Sequence, residues 1–370
     1  MSTYTPEGKI GNPAMDLRDD PRLDRRLLPD LEAFSIDKTP APIPLTRDSP
    51  WGQLTGFMKA FDDGNVKLYG AAPLDLPEDK DEPEVTEKVQ TIKGVDGNDI
   101  KLYIYRKAGT EGQTLPAVVY SHGGGMVVNA TYNRVHVRWM RSLAIAGCVC
   151  VMVDFRNAYT AEKHNPFPAG LNDCAAAVRW VTNHKAELGV SKVILHGESG
   201  GANLAIATAL KAKKENWVKE IDGVFGLIPY ISNAYGQPRE ELLKTLPSAV
   251  AHDGYFLPLH GMALMGHYYT PTEASASDPL AWPLKATKED LEGLPPHYIV
   301  VDELDPLRDE GMAFARNLTA AGVPVNAHMN LGTTHGAGLF FRSALPDYNR
   351  SLVDAVATFA RRVQGSQSRL

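Results

Sequence analysis

Short apolar runs alternate with amphipathic stretches along residues 85–362 of the chain. Turn residues bound most of the runs, which is typical of buried β-strands. We predict strands at VTEKVQTIKG, IKLYIYRK, PAVVYSHGG, CVCVMVDFR, KVILHGES, GVFGLIPYI, HYIVVDELD and VNAHMNL. Helical spacing of apolar residues predicts helices at about 131–146, 169–188, 200–214, 308–321 and 346–362. This alternation predicts an α/β fold, with a doubly wound, mostly parallel sheet and helices on both faces.

The first 84 residues depart from this alternation, since they are rich in proline, aspartate and arginine and contain no clear strand. Asp20 and Pro21, followed by leucines at helical spacing, predict a helix that begins there and that Pro29 limits or kinks. Residues 73–84, PLDLPEDKDEPE, are interpreted as a polar linker. We therefore expect an N-terminal region that is distinct from the regular core.

Residues 231–275 also interrupt the alternation and contain many tyrosines and methionines. An insertion after the carboxyl end of a strand lies over the ligand site of an α/β fold, so we interpret it, with the N-terminal region, as a cap. The alternative is a helical excursion whose aromatic side chains pack in the core. The predicted division is an N-terminal region contributing to the cap, a first core part, a cap insertion and a second core part, at residues 1–84, 85–230, 231–275 and 276–370.

Composition narrows the class of protein. Of the 370 residues, 44% are apolar and 22% charged, as in ordinary soluble domains. The net charge of −6 argues against a broad basic face for nucleic acid, and no stretch approaches the roughly 18–20 apolar residues of a membrane helix. Three cysteines do not form a disulfide framework, and the first twenty residues lack the apolar core of a secretory signal. We expect a cytoplasmic protein without a nucleic-acid or membrane partner.

The first chemical motif is Gly197-Glu198-Ser199-Gly200-Gly201, which matches GxSxG. A predicted strand precedes it and an alanine- and leucine-rich helix follows it. That context is the one in which a sharp strand-to-helix turn exposes a nucleophilic serine and directs free helix N–H groups at the site. The alternative is a glycine-rich turn with an incidental serine.

The second motif is His122-Gly123-Gly124-Gly125, directly after a predicted strand. Consecutive glycines leave backbone N–H groups unshielded, so they can stabilise the oxyanion of a tetrahedral intermediate. A phosphate-binding loop is the alternative, but neither a following lysine nor GxGxxG spacing is present. We expect His122 itself to orient the loop through a backbone hydrogen bond.

A nucleophilic serine requires a general base, and the base requires an orienting carboxylate. His335 lies on a loop after the last predicted strand, whereas His328 falls within that strand and is expected to be packed. Asp305 comes just after a strand end, and Glu303 is the second choice for the acid. The order Ser199, Asp305, His335 is the chain order of an α/β-hydrolase.

Six segments carry a family resemblance and occur in the order HGGGM, VDFRNA, HNPFPAGLNDC, GESGGANLA, DPLRDEG and THG. Over about residues 85–362 the chain resembles the hormone-sensitive-lipase-like group of carboxylesterases. The resemblance implies an α/β-hydrolase core with a helical cap. It also implies Ser199 as nucleophile, His335 as base and Asp305 as acid. The implied oxyanion donors are the backbone N–H groups of Gly124, Gly125 and Gly200, with Gly123 as a further candidate.

Three positions differ from or vary within that family pattern. Gly200 stands where alanine is often found, but still supplies a backbone N–H. Glu198 stands where aspartate or threonine is also common, and a hydrogen bond that steadies the glycine loop is its expected role. Arg156-Asn157 replaces the common Arg-Leu pair, a change that touches no residue of the predicted triad.

The sequence therefore predicts a serine carboxylesterase that acts through an acyl-enzyme and needs no metal or organic cofactor. Its partner is a small-molecule ester with a short or medium acyl chain, or a bulky ester or lactone; a monomer or a homodimer is expected. Alternatives are an amidase or peptidase with the same triad and a non-catalytic receptor of this fold. A true interfacial lipase is less well supported, because no basic amphipathic helix is evident.

Overall fold

The computed structural model describes residues 6–363 and contains one eight-stranded sheet in this part of the chain. The order across the sheet is β1-β2-β4-β3-β5-β6-β7-β8. The pairs β1–β2 and β2–β4 are antiparallel and all others are parallel. The strands are β1 Val85–Lys93, β2 Asp99–Lys107, β3 Leu115–Ser121, β4 Val149–Val153, β5 Val190–Glu198, β6 Gly223–Leu227, β7 His297–Asp302 and β8 Val325–Asn330.

Helices connect these strands and extend the N-terminal and 231–275 regions. In chain order they are α1 Gly8–Gly11, α2 Leu28–Ala33, α3 Trp51–Ala71, α4 Arg134–Ile145, α5 Ala169–Asn183, α6 Lys185–Leu188, α7 Gly200–Lys214, α8 Arg239–Thr245, α9 Pro247–Ala251, α10 Leu259–Tyr269, α11 Glu273–Ser277, α12 Lys288–Leu291, α13 Arg308–Ala320, α14 Ala337–Phe340 and α15 Pro346–Arg362. The predicted α/β fold and the eight predicted strands are confirmed.

The central strands β3, β4 and β6 are buried on both faces of the sheet, and their side chains alternate between the two faces. Ala117 and Val119 of β3 point into the core formed with α5, α7 and α13. Val118 and Tyr120 of the same strand point into the core formed with α4 and α15. Strands covered on both sides are continuous apolar runs, which is why the sequence revealed them so clearly.

The outermost strand contradicts one prediction. The sequence predicts a packed His328, but residues 326–329 of β8 are exposed. β8 pairs only with β7 and is therefore the edge of the sheet, where one side and part of its faces remain open. The prediction is wrong because the sequence places a strand but does not reveal its position in the sheet.

The N-terminal helix begins later than predicted. The Asp20 carboxylate accepts hydrogen bonds from the backbone N–H and guanidinium of Arg22 rather than capping a long helix. A 3-10 turn at Arg25–Leu27 precedes α2, and Pro29 lies in the first turn of α2 instead of kinking it. Proline is favoured at that position because its missing N–H would have no intrahelical partner.

The 21-residue helix α3 was not predicted. It contains four glycines, and a Cβ added at any of them would meet no atom within 4 Å. Glycine lowers helix propensity by about 1 kcal/mol relative to alanine, so the sequence signal was weak. Packing holds the helix in place: Trp51 stacks on Tyr268 of α10 with ring centroids 4.8 Å apart.

Residues 73–84 are not a free linker. Asp79 accepts two hydrogen bonds from Arg342, each 2.6 Å long, and Glu82 accepts two from Arg138, each 2.7 Å long. Charged residues that suggested solvent exposure instead form ion pairs with core helix α4 and the segment after α14. The segment is polar, as predicted, but its ion-pair partners are distant in sequence and could not be identified from it.

We expect glycine substitutions to separate close packing from helix propensity. A Cβ at Gly201 would lie 1.9 Å from the Ser121 carbonyl oxygen, so Gly201→Ala should lower the free energy of unfolding by about 3 kcal/mol or more. The matched change Gly56→Ala, at an exposed position of α3, should raise it by about 0.5–1 kcal/mol. Urea denaturation measures both, and equal effects at the two sites would contradict this packing.

Candidate active site

Ser199 occupies a strained turn between β5 and α7. Its φ is 54° and its ψ −120°, a conformation that L-residues rarely adopt. Close packing enforces the turn, since a Cβ at Gly197 would lie 2.3 Å from the Gly201 carbonyl. The turn also places Ser199 directly before the N-terminus of α7. This is the geometry predicted for GxSxG.

His335 and Asp305 form a buried pair. The imidazole Nδ1 lies 2.8 Å from Asp305 Oδ2, and both side chains are almost fully buried. Asp305 Oδ1 also accepts a 2.9 Å bond from the Leu307 backbone N–H, which fixes the carboxylate. A carboxylate only accepts, so Nδ1 carries the proton and the Nε2 lone pair faces away from the acid. That tautomer is the one a general base needs.

The other carboxylates near strand β7 have different partners. Asp302 accepts from Asn330, Thr333 and the Gly336 N–H. Glu303, the second choice for the acid, accepts from the Gly332 N–H at 2.8 Å. Both therefore shape the loop that bears His335 without bonding its imidazole. The structure pairs His335 with Asp305 and with neither Asp302 nor Glu303.

Ser199 and the His335–Asp305 pair meet at one cavity. Ser199 and His335 both line it, as do Gly123, Gly124 and Gly125. No hydrogen bond joins Ser199 Oγ to His335 among the residues described. Such bonds are often long in ligand-free sites and shorten when substrate binds.

The glycine loop offers free backbone donors beside Ser199. Gly124 and Gly125 have positive φ values of 104° and 63°, a conformation that residues with a Cβ rarely adopt. The N–H groups of Gly124, Gly125 and Gly200 have no acceptor within the described chain. A Cβ at Gly200 would lie 2.8 Å from Gly125 N, so the two predicted donor segments are in contact. The three predicted donors are thus adjacent and available to an acceptor.

Gly123 differs from its neighbours, because its N–H donates to Glu198 Oε1 over 2.6 Å. Its carbonyl lies 2.6 Å from His122 Nδ1, which must then carry the proton. Glu198 therefore fixes the N–H of Gly123, and His122 fixes its carbonyl. This contact gives Glu198 the loop-steadying hydrogen bond that the sequence suggested, and removes Gly123 from the set of free donors.

Burial gives Glu198 an unusual protonation equilibrium. The carboxyl is fully enclosed, and desolvation raises its pKa from an ordinary 4.5 to about 7, against the opposing hydrogen bond from Gly123. A group whose pKa is raised by folding binds its proton more tightly in the folded state. Its contribution to stability is therefore complete below pH 4.5 and lost as the pH rises through 7.

We predict that Glu198→Gln removes this pH dependence. The amide oxygen can still accept from Gly123, but the side chain no longer ionises. The free energy of unfolding of the wild type, relative to the variant, should fall by about 3 kcal/mol between pH 4.5 and pH 8. Urea denaturation at both pH values tests this, with Glu240→Gln on exposed α8 as control. A difference that does not change with pH would contradict it.

The cavity over Ser199 is largely apolar and has a volume of about 430 Å³. The N-terminal region and residues 231–275 both supply its walls. Met265 of α10 covers the glycine loop closely, since a Cβ at Gly125 would lie 2.4 Å from the Met265 methyl carbon. The apolar wall residues are Phe34, Ile36, Ala60, Phe61, Leu68, Ile228, Phe256, Leu257, Met262, Met265 and Phe340.

Some wall residues were not identified from the sequence. Phe61, Leu68 and Tyr69 belong to α3, a helix that was not predicted because its glycines weaken the sequence signal. The Tyr69 hydroxyl accepts a 3.0 Å bond from Asn129 Nδ2 behind the glycine loop. The available signal was helical spacing of Leu54, Phe57, Phe61 and Leu68, which is interrupted only by Gly64 between the last two.

Comparisons with known proteins agree with this geometry. A family model described as the alpha/beta hydrolase fold matches residues 118–339. The carboxylesterase NlhH of Mycobacterium tuberculosis is 34% identical over 263 residues, which cover 69% of this chain and 76% of that protein. The chain belongs to the hormone-sensitive-lipase-like family of carboxylesterases. The predicted family and the predicted carboxylesterase activity are confirmed.

Further relatives of this carboxylesterase are also esterases. Esterase LipI of Mycobacterium tuberculosis is 32% identical over 288 residues, which cover 76% of this chain and 83% of LipI. The solved structure of brefeldin A esterase, a bacterial homologue of human hormone-sensitive lipase, is 49% identical. It has a TM-score of 0.94 and covers 96% of this chain and 98% of that one. Esterase Est22, solved with p-nitrophenol, is 33% identical with a TM-score of 0.81, covering 94% and 99%.

None of the helices in residues 6–363 combines the length and the apolar character that a membrane crossing requires.

Proposed function

We propose that Ser199, His335 and Asp305 are the catalytic triad of this carboxylesterase. The observation that carries the proposal is the buried His335–Asp305 pair, 2.8 Å long, which opens on the same apolar cavity as Ser199. We also propose that the backbone N–H groups of Gly124, Gly125 and Gly200 bind the oxyanion.

In the proposed reaction, His335 Nε2 takes the Ser199 proton as Oγ attacks the ester carbonyl. The negative charge that develops on the carbonyl oxygen is stabilised by the glycine N–H groups. His335 then protonates the leaving alcohol, and an acyl-enzyme remains on Ser199. A water molecule then attacks the acyl-enzyme while His335 takes its proton. The bond between the acyl group and Oγ breaks, His335 returns the proton to Ser199 Oγ, and the carboxylic acid product leaves. Asp305 holds the imidazole in the required tautomer and stabilises its cationic form.

The division into four segments is proposed as a functional one. Core parts 85–230 and 276–370 carry the triad, while 1–84 and 231–275 form the cap over the cavity. Contacts between α3 and α10, such as the Trp51–Tyr268 stack, support treating the two cap segments as one unit. The first five and last seven residues of this division lie outside the described part of the chain.

The substrate class follows from the cavity. Apolar walls favour an ester with apolar acyl and alcohol groups. Methionine side chains adapt to different shapes, so Met262 and Met265 suit a site that accepts bulky esters. We propose esters of short to medium acyl chain, or a bulky ester or lactone, as substrates. Brefeldin A is the bulky compound to test first, because a structural neighbour is an esterase for it.

We expect hydrolysis of 4-nitrophenyl esters to rise from acetate to medium acyl chains and to fall again by decanoate, as the apolar cavity is filled. Matching 4-nitroanilides should react far more slowly, because an amine is a poorer leaving group. Relative kcat/KM values, taken from initial rates of chromophore release, measure both preferences. Anilides hydrolysed as fast as esters would favour the amidase alternative.

A further inference from the structure

The N-terminal segment, residues 6–27, contacts the loop that presents the histidine and is linked through His252 and Arg308 to the loop that presents the acid. We define the acid loop as residues 303–307 and the histidine loop as residues 331–336. The Asp24 N–H donates to the Gly332 carbonyl over 2.9 Å. Leu17, Leu23 and Leu27 are almost completely buried and anchor the segment. The segment is therefore attached both to the core and to the histidine loop.

Arg22 is the centre of these contacts. Its guanidinium donates to both oxygens of buried Asp20, at 2.9 and 2.7 Å, and to Glu7 Oε2 at 2.6 Å. It also lies 3.2 Å from His252 Nε2. A guanidinium can donate but not accept, so the His252 Nε2 must be the acceptor. Arg22 therefore favours the tautomer of His252 that carries its proton on Nδ1.

The other nitrogen of His252 points to the catalytic acid. His252 Nδ1 lies 3.3 Å from the backbone carbonyl oxygen of Asp305. With Nε2 accepting from Arg22, Nδ1 carries the proton and donates to that carbonyl. Burial, together with the charges of Arg308 and Arg22, lowers the pKa of His252 to about 4, so the imidazole stays neutral. Arg22, His252 and Asp305 thus form a chain of directed hydrogen bonds.

A second connection runs in parallel. Arg308 donates to Glu7 at 2.6 and 3.0 Å and to the Glu303 carbonyl at 3.3 Å. Burial raises the pKa of Glu7, but the hydrogen bond and charge of Arg308 outweigh it and lower the pKa to about 2. Glu7 thus remains ionised and holds Arg22 and Arg308 together. The acid loop is held from two points of the N-terminal segment.

We propose that Arg22 is a positioning residue for catalysis, acting through His252 on the backbone that presents Asp305. The Asp305 carboxylate must stay fixed relative to His335, and a displacement of about 1 Å far from the reacting atoms can cost about a hundredfold in rate. The proposal rests on the triad assignment above. It gives the N-terminal segment a function in the reaction besides that of a cap wall.

Arg22→Met tests the proposal, with Arg18→Met as matched control. Arg18 belongs to the same segment and pairs with Glu32 and Asp37, but contacts neither loop. We expect Arg22→Met to lower kcat by about 10- to 100-fold with KM within about twofold. Arg18→Met should leave both unchanged. Equal kcat values for the two variants would overturn the proposal.

A pair of His252 variants separates positioning from general destabilisation. The Nδ2 of asparagine can stand in place of the imidazole Nδ1 and donate to Asp305, whereas leucine cannot. His252→Asn should keep kcat within about threefold of the wild type, and His252→Leu should lose about 10- to 100-fold. Equal losses in the two variants would overturn the proposal, and this comparison decides the matter if Arg22→Met does not fold.

The same assays distinguish failure of this proposal from failure of the triad assignment. Ser199→Ala, measured in parallel, must be inactive if the triad is correct. An inactive Ser199→Ala with a fully active Arg22→Met would refute only the positioning role. An active Ser199→Ala would refute the triad itself, and the positioning role with it.

Discussion

Replacing Ser199 by alanine is expected to reduce kcat for 4-nitrophenyl butyrate by about a millionfold, the scale seen when a triad nucleophile is removed. The loss follows because no other group can form the acyl-enzyme at the strained turn before α7. The fold should be unchanged, since Ser199 is held by its backbone: its N–H donates to the Leu227 carbonyl over 2.9 Å.

The control for this variant is Ser343→Ala, at an exposed serine that does not line the cavity. It should keep full activity. Circular dichroism spectra of both variants should match that of the wild type. Substantial turnover by purified Ser199→Ala would place the nucleophile elsewhere and refute the proposed triad.

Replacing Asp305 by asparagine should lower kcat by about ten-thousandfold. The amide that this change introduces can donate to His335 Nδ1, which stabilises the tautomer with the proton on Nε2. That tautomer has no lone pair to receive the serine proton. KM should change little, because the Asp305 side chain is buried behind His335 and does not line the cavity.

The neighbouring carboxylates provide the comparison for Asp305→Asn. Asp302→Asn and Glu303→Gln alter the hydrogen bonds of the histidine loop but leave the Asp305–His335 pair in place. We expect losses in kcat of no more than about tenfold for either variant. A loss at Glu303→Gln as large as at Asp305→Asn would contradict the assignment of the acid.

The sequence predicted the core of this fold well for a physical reason. A parallel sheet that is buried on both faces requires continuous apolar strands, and loops at their carboxyl ends carry the reactive groups. Strand β5 followed by Ser199, and strand β7 followed by Asp305, are direct examples. The strand-to-helix turn at Ser199 and the glycine loop were also predictable, because each depends on a short local motif.

What the sequence did not show depends on contacts between distant residues. Helix α3 is stabilised by packing on α10 despite its four glycines, and Asp79 is ordered by Arg342, which lies 263 positions away. Arg22 looked like part of a predicted helix, whereas it contacts His252, which lies 230 positions away. Neither periodicity nor composition carries information about such pairs.

The most direct test of the central claim is covalent labelling of the nucleophile. A fluorophosphonate phosphonylates an activated serine: Oγ forms a bond to phosphorus, fluoride leaves, and the serine proton passes to the base. Mass spectrometry of the digested protein should find one adduct per chain, on the peptide that contains Ser199, and Asp305→Asn should slow its formation. A stoichiometric adduct on any other residue, or none on Ser199 in the active enzyme, would contradict the account.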